Sequence, residues 1–382
     1  MRHVVHVLTV PDSLVFLRGQ PGFMRERGWK MTVITSPGPR LDAFGAEHGI
    51  EVHAIPMPRR VTPREDAVSL ARLTRLLRKL RPSLVHAHTP KGGLLGTMAA
   101  TLAGVPARIY HMRGLPFATA TGAQRALLAA TERTSTTLAT RVLAVSASLR
   151  DAAVRAHLCA PSKIQVLASG SGNGVDCFGR FNPATVPSEA GPRLREKLGL
   201  APSATVIGFL GRLVRDKGVV ELAEAWAMLR TRFPESHLLL GGAFEERDAI
   251  PADTRSQLER DPRVHRMGFV EDTPSFYAAI DVLALPTYRE GFPNVLLEAA
   301  AMRVPVVATR VTGCVDAVVD GVTGSLVPAR DAHALAESLA SYLENAHLRI
   351  QHADRARARI EREFPRERLW QALATVYDEL VP

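Results

Sequence analysis

The chain has 382 residues, 46% of them hydrophobic and 5% aromatic, and 48 Lys+Arg against 38 Asp+Glu give a formal net charge of +10. The length suits two domains with large buried cores rather than one. Three widely spaced cysteines (Cys159, Cys177, Cys314) with no Cys-x-x-Cys indicate neither a disulfide framework nor a thiolate zinc site, a reducing cytoplasm being the simple reading, and no run of about 18 apolar residues is present to cross a bilayer.

In chain order, "HVVHVLTV" reads as a buried strand. It is short, is stopped by Pro11-Asp12 and lacks a small-residue cleavage site, so it is not read as a signal peptide. A helix ending near Gly28 leads to a second strand in "MTVITSP". Leu70, Leu73, Leu76, Leu77 and Leu80 form one helical stripe, with Arg72, Arg75, Arg78 and Lys79 elsewhere. This reads as a sheet-packing helix with a solvated basic face, direct bilayer contact being the alternative. "SLVHAH", "ARIYHM", "RVLAVS" and "IQVLAS" are further strands. Strands alternating with helices predict a parallel sheet covered on both faces. "FGRFNPATVPSEAGPRLREKLGL", punctuated by Pro and Gly, reads as a linker. A second α/β unit follows, with strands in "TVIGFLGRL", "HLLLGG", "VHRMGFV", "DVLALPT", "VPVVATR" and "GSLVP", and a last helix begins after Pro365.

The expected architecture is α/β, with two doubly wound domains over 1–182 and 183–365 and a helix over 366–382 that crosses back to the first. Ligands of such sheets sit beyond the carboxyl ends of the strands, so two facing domains predict a cleft between those ends.

Charge is uneven. Residues 1–180 carry 24 Lys+Arg and 10 Asp+Glu (+14), and residues 181–382 carry 24 and 28 (−4). The first half is therefore expected to meet something anionic, such as an acidic bilayer surface or a lipid-linked phosphate. A generally Arg-rich composition is the plainer account. No zinc finger or aromatic RNA-binding motif accompanies the charge, so nucleic acid is not the expected partner.

Three stretches carry chemistry. In "FLGRLVRDKG", Gly211 ends a strand, Arg212 lies in the loop and Lys217 precedes a helix starting near Val219. Two cations on one loop suit a diphosphate, Arg as a planar fork and Lys as a compact charge. In "REGFPNVLLEAA", Glu290 lies at a strand's carboxyl end, Pro293-Asn294 begin a helix, and Glu298 falls one turn inside it. Free N–H groups at that start suit anionic oxygens, whereas the two carboxylates suit hydroxyl donors such as those of a sugar and a ribose. In "HTPKGG", Thr89, Lys91 and Gly92 precede a helix, where Lys91 and backbone amides would meet an acceptor phosphate. The glycines of "ASGSGNGVD" do not fit a dinucleotide fingerprint, since Val175 or Cys177 stands where the third glycine belongs. That stretch reads as a loop with Asn173 and Asp176 as structural residues.

The second half resembles the donor domain of retaining glycosyltransferases of family 4, which have the GT-B fold. The resemblance rests on "GRLVRDKG", the Glu-x7-Glu element, and the Pro-x-x-x-Thr, Gly and Asp-Gly-x-x-Gly turns in "VPVVATRVTGCVDAVVDGVTGSLVP". In the first half, "FLRGQPGFMRERGW" and "VHAHTPKGGLLG" are similar to the capsule, O-antigen and exopolysaccharide branch. The resemblance implies that Arg212 and Lys217 hold the donor diphosphate and Glu290 the donor sugar's hydroxyls. It implies that the backbone of Gly291, Phe292, Pro293, Asn294 and Val295 contacts sugar and phosphate, and that Glu298 holds the ribose. Phe269 and Val270 after Gly268 would border the base, and Gly19 and Gln20 would approach the diphosphate from the first domain. Relatives commonly place a His directly before the glycine of the loop in "RIYHMRGLPF"; here Arg113 stands there, with His111 two residues earlier on the same strand face.

The expectation is a retaining glycosyltransferase that moves a hexose or N-acetylhexosamine from a UDP-sugar co-substrate, with no cofactor, to a saccharide or polyprenyl-diphosphate-linked acceptor. It would work in the cytoplasm, peripherally at the inner face of the cell membrane. No Asp-x-Asp is present, so no metal is expected, and the two cations with a helix start supply the alternative. A UDP-sugar epimerase or hydrolase of the same architecture, and a non-catalytic nucleotide-binding protein, are the competing readings.

Overall fold

A computed structural model describes residues 2–246 and 248–382. Seven parallel strands form the first sheet: β1 (Arg2–Val7), β2 (Trp29–Thr35), β3 (Glu51–Ala54), β4 (Leu84–His88), β5 (Ala107–Met112), β6 (Arg141–Ala144) and β7 (Ile164–Val166), in the order β3-β2-β1-β4-β5-β6-β7. Six form the second: β8 (Thr205–Leu210), β9 (Ser236–Gly241), β10 (Val264–Gly268), β11 (Val282–Leu285), β12 (Val306–Thr309) and β13 (Ser325–Val327), in the order β10-β9-β8-β11-β12-β13. The chain divides into two compact units, Met1–Gly174 with Arg366–Pro382, and Val175–Pro365.

Alternation along the strands sorts the first sheet's two faces. Val5, Val7, Ile34 and Val85 point to one face, under Leu73 and Leu77 of the helix Pro63–Leu80 and Leu95 and Ala99 of the helix Pro90–Leu102. The leucine stripe is thus a core stripe, and Leu70, Leu76 and Leu80 flank it partly buried. Val4, Met31, Leu84 and Ile109 point to the other face, under Leu369, Leu373 and Tyr377 of the C-terminal helix (Arg366–Leu380). Asp378 ties that helix to the first strands, accepting from Arg2 Nη1 (2.5 Å) and Trp29 Nε1 (3.1 Å). No helix among the described residues is long and apolar enough to cross a membrane.

Two elements escaped the sequence reading. β3 is an edge strand paired only to β2, and its Glu51 and Ala54 are exposed, so it lacks an apolar run. The expected linker contains a helix, Ala190–Lys197. A Cβ on its Gly191 would lie 2.3 Å from the Ala278 carbonyl oxygen, so glycine permits close packing on the helix Thr273–Ala279. Arg195 then bonds the Ala279 carbonyl (2.9 Å) and Asp281 (2.7 Å), fixing this segment to the second unit.

Candidate functional site

In the second sheet β8 and β11 are hydrogen-bonded neighbours, with β9 and β10 on one side and β12 and β13 on the other. The order reverses there, which in open parallel sheets is where ligands are taken, at the carboxyl ends of the strands. Those loops are the two charged motifs. Gly218 has φ 71°, and a Cβ on it would lie 1.9 Å from the Pro286 carbonyl oxygen, so only glycine lets the loops approach this closely. Lys217 Nζ donates to Glu290 Oε1, with side chains 21% and 13% exposed. Asp216 Oδ2 accepts from Arg289 Nε (3.0 Å) and Nη2 (2.8 Å), and the Asp216 carbonyl accepts from Tyr288 N (2.9 Å). Arg212 is exposed and donates to Glu245 (3.0 Å). Sequence reasoning gave Lys217 and Glu290 separate partners; the structure pairs them with each other.

The helix Asn294–Ala301 begins after Pro293. The Asn294 Oδ1 in its first turn is buried with no hydrogen-bond partner among the described residues. Glu298 accepts from Tyr277 Oη at 2.9 Å, and burial, then Glu298, pushes the Tyr277 phenol well above its usual range. Gly313 packs on the Gly291 carbonyl, where a Cβ would lie 2.5 Å away. Phe292 is buried against Phe364 (centroids 5.5 Å apart), so its ring is core and only its backbone is available to a ligand. Phe269, beyond β10, is 69% exposed, and Val270 beside it packs toward Gly241.

The first sheet reverses order between β1 and β4. Thr9 Oγ1 and Thr89 Oγ1 lie 2.7 Å apart, and Gly92 N donates to Thr9 Oγ1 (2.9 Å). Thr89 takes φ 64°, a conformation costly for a β-branched residue. Lys91 donates to Asp66 Oδ1 (2.7 Å) and to the Arg60 carbonyl, so its charge is already matched inside this unit. Gly19 (φ 83°) packs on Trp370, where a Cβ would lie 2.5 Å from the indole. Gln20 Nε2 donates to Asn173 Oδ1 (2.8 Å), which also accepts from Trp370 Nε1 (2.7 Å), while Gln20 Oε1 is buried without a partner among the described residues. The Gln20 donors thus serve a structural hub centred on Asn173, and its carbonyl oxygen is the part left over. Asp176 caps the Gly179 N–H at 3.1 Å.

Arg113 and His111 lead to residues the sequence reading missed. Register places His6 opposite His86, and His88 opposite His111, on one face of the sheet. All four are buried, beside Tyr377. Arg113 Nε and Nη2 lie 3.2 and 3.1 Å from His88 Nδ1, its Nη1 donates to the Gly172 carbonyl (2.8 Å), and its guanidinium lies 4.1 Å from the Phe16 ring centroid. Among the described residues it has no carboxylate within ion-pairing reach. Burial lowers Arg113 to about 9, still charged at neutral pH, and burial first, then neighbouring charge, lowers His6 to about 3 and His86, His88 and His111 well below 6.5. The available signal was histidine at matching register in "HVVHV", "VHAH" and "YHM".

Comparison with known proteins identifies the family. The family described as "Glycosyl transferases group 1" matches residues 204–345, and "Glycosyl transferase 4-like domain" matches residues 23–170. The capsular polysaccharide biosynthesis glycosyltransferase CapM of Staphylococcus aureus is 34% identical over 376 residues, covering 98% of this chain and 96% of that protein. The UDP-Gal:alpha-D-GlcNAc-diphosphoundecaprenol alpha-1,3-galactosyltransferase of Escherichia coli is 28% identical over 290 residues, 75% of this chain and 73% of that protein. Anabaena HepE in complex with UDP-glucose superposes with a TM-score of 0.82 at 23% identity, over 99% of this chain and 100% of that one. WaaG, a glycosyltransferase involved in lipopolysaccharide biosynthesis, superposes with a TM-score of 0.76 at 18% identity, over 99% of each. With two Rossmann-like sheets and a full-length relative at this identity, the chain belongs to the group 1 glycosyltransferases, family 4, and has the GT-B fold.

Proposed function

We propose that the chain moves a sugar, a hexose or N-acetylhexosamine, from a UDP-sugar to a polyprenyl-diphosphate-linked or nascent surface-polysaccharide acceptor, with retention and without a metal. The observation that carries this reading is the Lys217–Glu290 pair, which the loops after β8 and β11 hold at the sheet's switch point. A bound donor would replace it, the diphosphate taking Lys217 and the sugar hydroxyls donating to Glu290. Departure of UDP leaves an oxocarbenium-like sugar and a diphosphate whose growing charge Lys217 and Arg212 stabilise. Glu298, oriented by Tyr277, accepts from the ribose hydroxyls. The unpartnered Asn294 Oδ1 supports a ligand at this helix start.

On the first unit, Arg113 supplies a cation without a counter-ion, suited to the β-phosphate, and His111 donates to the sugar. Thr89, Lys91 and Gly92 are the acceptor candidates, with Asp66 as the group an acceptor phosphate displaces from Lys91. Same-face attack, with the leaving phosphate taking the acceptor's proton, leaves neither glutamate a proton to move. The donor in the HepE complex and the donor and lipid-linked acceptor in the Escherichia coli relative's name support the substrate classes. The +14 first half supports an anionic membrane surface as the place of work.

The test is transfer from radiolabelled UDP-sugars to polyprenyl-diphosphate-linked saccharide, with and without EDTA. Glu290→Ala is expected to abolish transfer, and EDTA to leave it intact. Equal transfer by Glu290→Ala removes that residue's role, loss with EDTA that Mn²⁺ restores removes the metal-free reading, and sugar release without acceptor favours a hydrolase. Flotation with anionic liposomes tests the membrane: no binding at low salt ends that part.

A further inference from the structure

The four buried histidines and Tyr377 make a continuous series of contacts that starts at Arg113. His88 Nε2 lies 2.9 Å from His6 Nδ1, and His6 Nε2 lies 3.4 Å from Tyr377 Oη. Tyr377 Oη lies 2.6 Å from His86 Nδ1, and His86 Nε2 lies 3.1 Å from His111 Nδ1. Each ring has two nitrogens, and in a neutral imidazole one donates and the other accepts.

Arginine can only donate, and that single fact propagates. His88 Nδ1 accepts from Arg113, so His88 carries its hydrogen on Nε2 and donates to His6 Nδ1. His6 therefore carries its hydrogen on Nε2 and donates to Tyr377 Oη. The Tyr377 hydroxyl then has one acceptor left, His86 Nδ1, which puts the His86 hydrogen on Nε2, aimed at His111 Nδ1. We propose that Arg113, through His88, His6, Tyr377 and His86, fixes His111 as the Nε2–H tautomer, so that the residue beside the reacting sugar presents a hydrogen-bond donor and not an acceptor.

Arg113 Nε–H and Nη2–H share the His88 Nδ1 lone pair, every later contact has one hydrogen and one lone pair, and the Nε2–H of His111 is the donor left over. Burial keeps every ring neutral, which the order requires, because a protonated ring would set two donors face to face. The groups around the series agree. The C-terminal helix contributes Tyr377, the loop after β5 contributes Arg113, and Phe16 covers Arg113. His6, His86 and His88 also place a nitrogen each within 4.8 Å of one another, a spacing open to a metal ion. The hydrogen-bond order is favoured because, among the described residues, the charge in contact with the series is the Arg113 cation, which opposes a second cation, and the group His6, His86 and His88 holds no anionic ligand.

His111's contact with the sugar rests on the function proposed above, but the tautomer order does not. The test is a long-range ¹⁵N spectrum of the ¹⁵N-histidine-labelled full chain, assigned with single His→Asn variants, between pH 6 and 9. All four rings are expected to show a protonated Nε2 and an unprotonated Nδ1 throughout. A protonated Nδ1 on any of them, titration of any of them in this range, or one zinc per chain retained through purification overturns the proposal. Tyr377→Phe is expected to leave His88 and His6 ordered and to turn His86 and His111 into tautomer mixtures, and Arg113→Met to release His88 as well. An unchanged His111 in Tyr377→Phe overturns the relay, and because the wild-type spectrum is decisive alone, poor folding of a variant does not rescue it. With the tautomers mixed, Tyr377→Phe should lower kcat about 3–10-fold at unchanged donor KM. Mixed tautomers with unchanged kcat uphold the relay and remove His111 from the sugar.

Discussion

The two units share a topology and differ in how each prepares its switch point. In the second unit the switch point is lined by opposite charges matched to one another, Lys217 with Glu290 and Asp216 with Arg289. In the first the corresponding place holds one matched pair, Lys91 with Asp66, but beside it lie neutral rings and hydroxyls and a cation, Arg113, with no carboxylate in ion-pairing reach among the described residues. Paired charges hold loops in position but must separate when a ligand arrives. A neutral network beside a cation is already arranged and, on the function proposed above, needs only the anion. Rossmann-like topology places chemistry at the strand ends, and the residues there decide whether the site waits paired or unpaired.

The largest effect that would break this contrast is on catalysis. Lys217→Ala is expected to lower kcat about 10²–10³-fold in the transfer assay, the usual loss for one charge-stabilising donor. A tenfold or smaller loss would mean that the pair is only a loop clasp. Acid sharpens the contrast next. A histidine lowered by burial binds fewer protons folded than unfolded, so stability is full above pH 6.5 and falls as pH drops toward the folded value. For His6, lowered to about 3, this costs about 2 kcal/mol between pH 7 and 5. His86, His88 and His111 act in the same direction. Glu132, raised to about 7 by burial beside Tyr110, opposes them, being stabilised as pH falls. In the second unit, His237 and His265 are partly exposed and pull the way of the histidines with more solvent screening. Hydrogen exchange should therefore show the first unit opening before the second at pH 5, and His6→Asn should flatten the urea-midpoint profile. Equal protection of both units at pH 5 would count against the neutral cluster.

Smaller effects follow in the second unit. Gly218→Ala should cost about 1–3 kcal/mol for the positive φ, more where the Cβ meets the Pro286 carbonyl, and should lower transfer by moving Lys217. Thermal denaturation with a transfer assay checks both. Tyr277→Phe removes one donor to Glu298 and should raise the donor KM about 2–10-fold with little change in kcat. A kcat effect without a KM effect would move Glu298 from ribose binding to the chemistry.

Most of the fold was legible because period-2 alternation and apolar runs mark buried strands, and twelve of the thirteen strands carry that mark. β3 did not, because an edge strand open to solvent has no need of it. The charged loops were legible because Arg212, Lys217, Glu290 and Glu298 sit at short, fixed spacing. What was not legible is pairing between loops, since only the fold brings Lys217, after β8, to Glu290, after β11. The histidines were present in the sequence, but each alone reads as a core residue. Their meaning lies in parallel register, which joins positions 6, 86, 88 and 111.

The C-terminal helix has a consequence for how the molecule comes into being. Residues 175–365 form an unbroken unit, whereas the first unit is assembled from Met1–Gly174 and Arg366–Pro382. During synthesis the second unit therefore emerges whole and can fold while one face of the first sheet still lacks its cover. Val4, Leu84 and Ile109 wait bare, and the Arg113 series has a gap where Tyr377 belongs. A nascent chain arrested before Arg366 would hold the loops after β8 and β11 but not Tyr377, so the histidine face of the first sheet is completed only when the helix Arg366–Leu380 arrives.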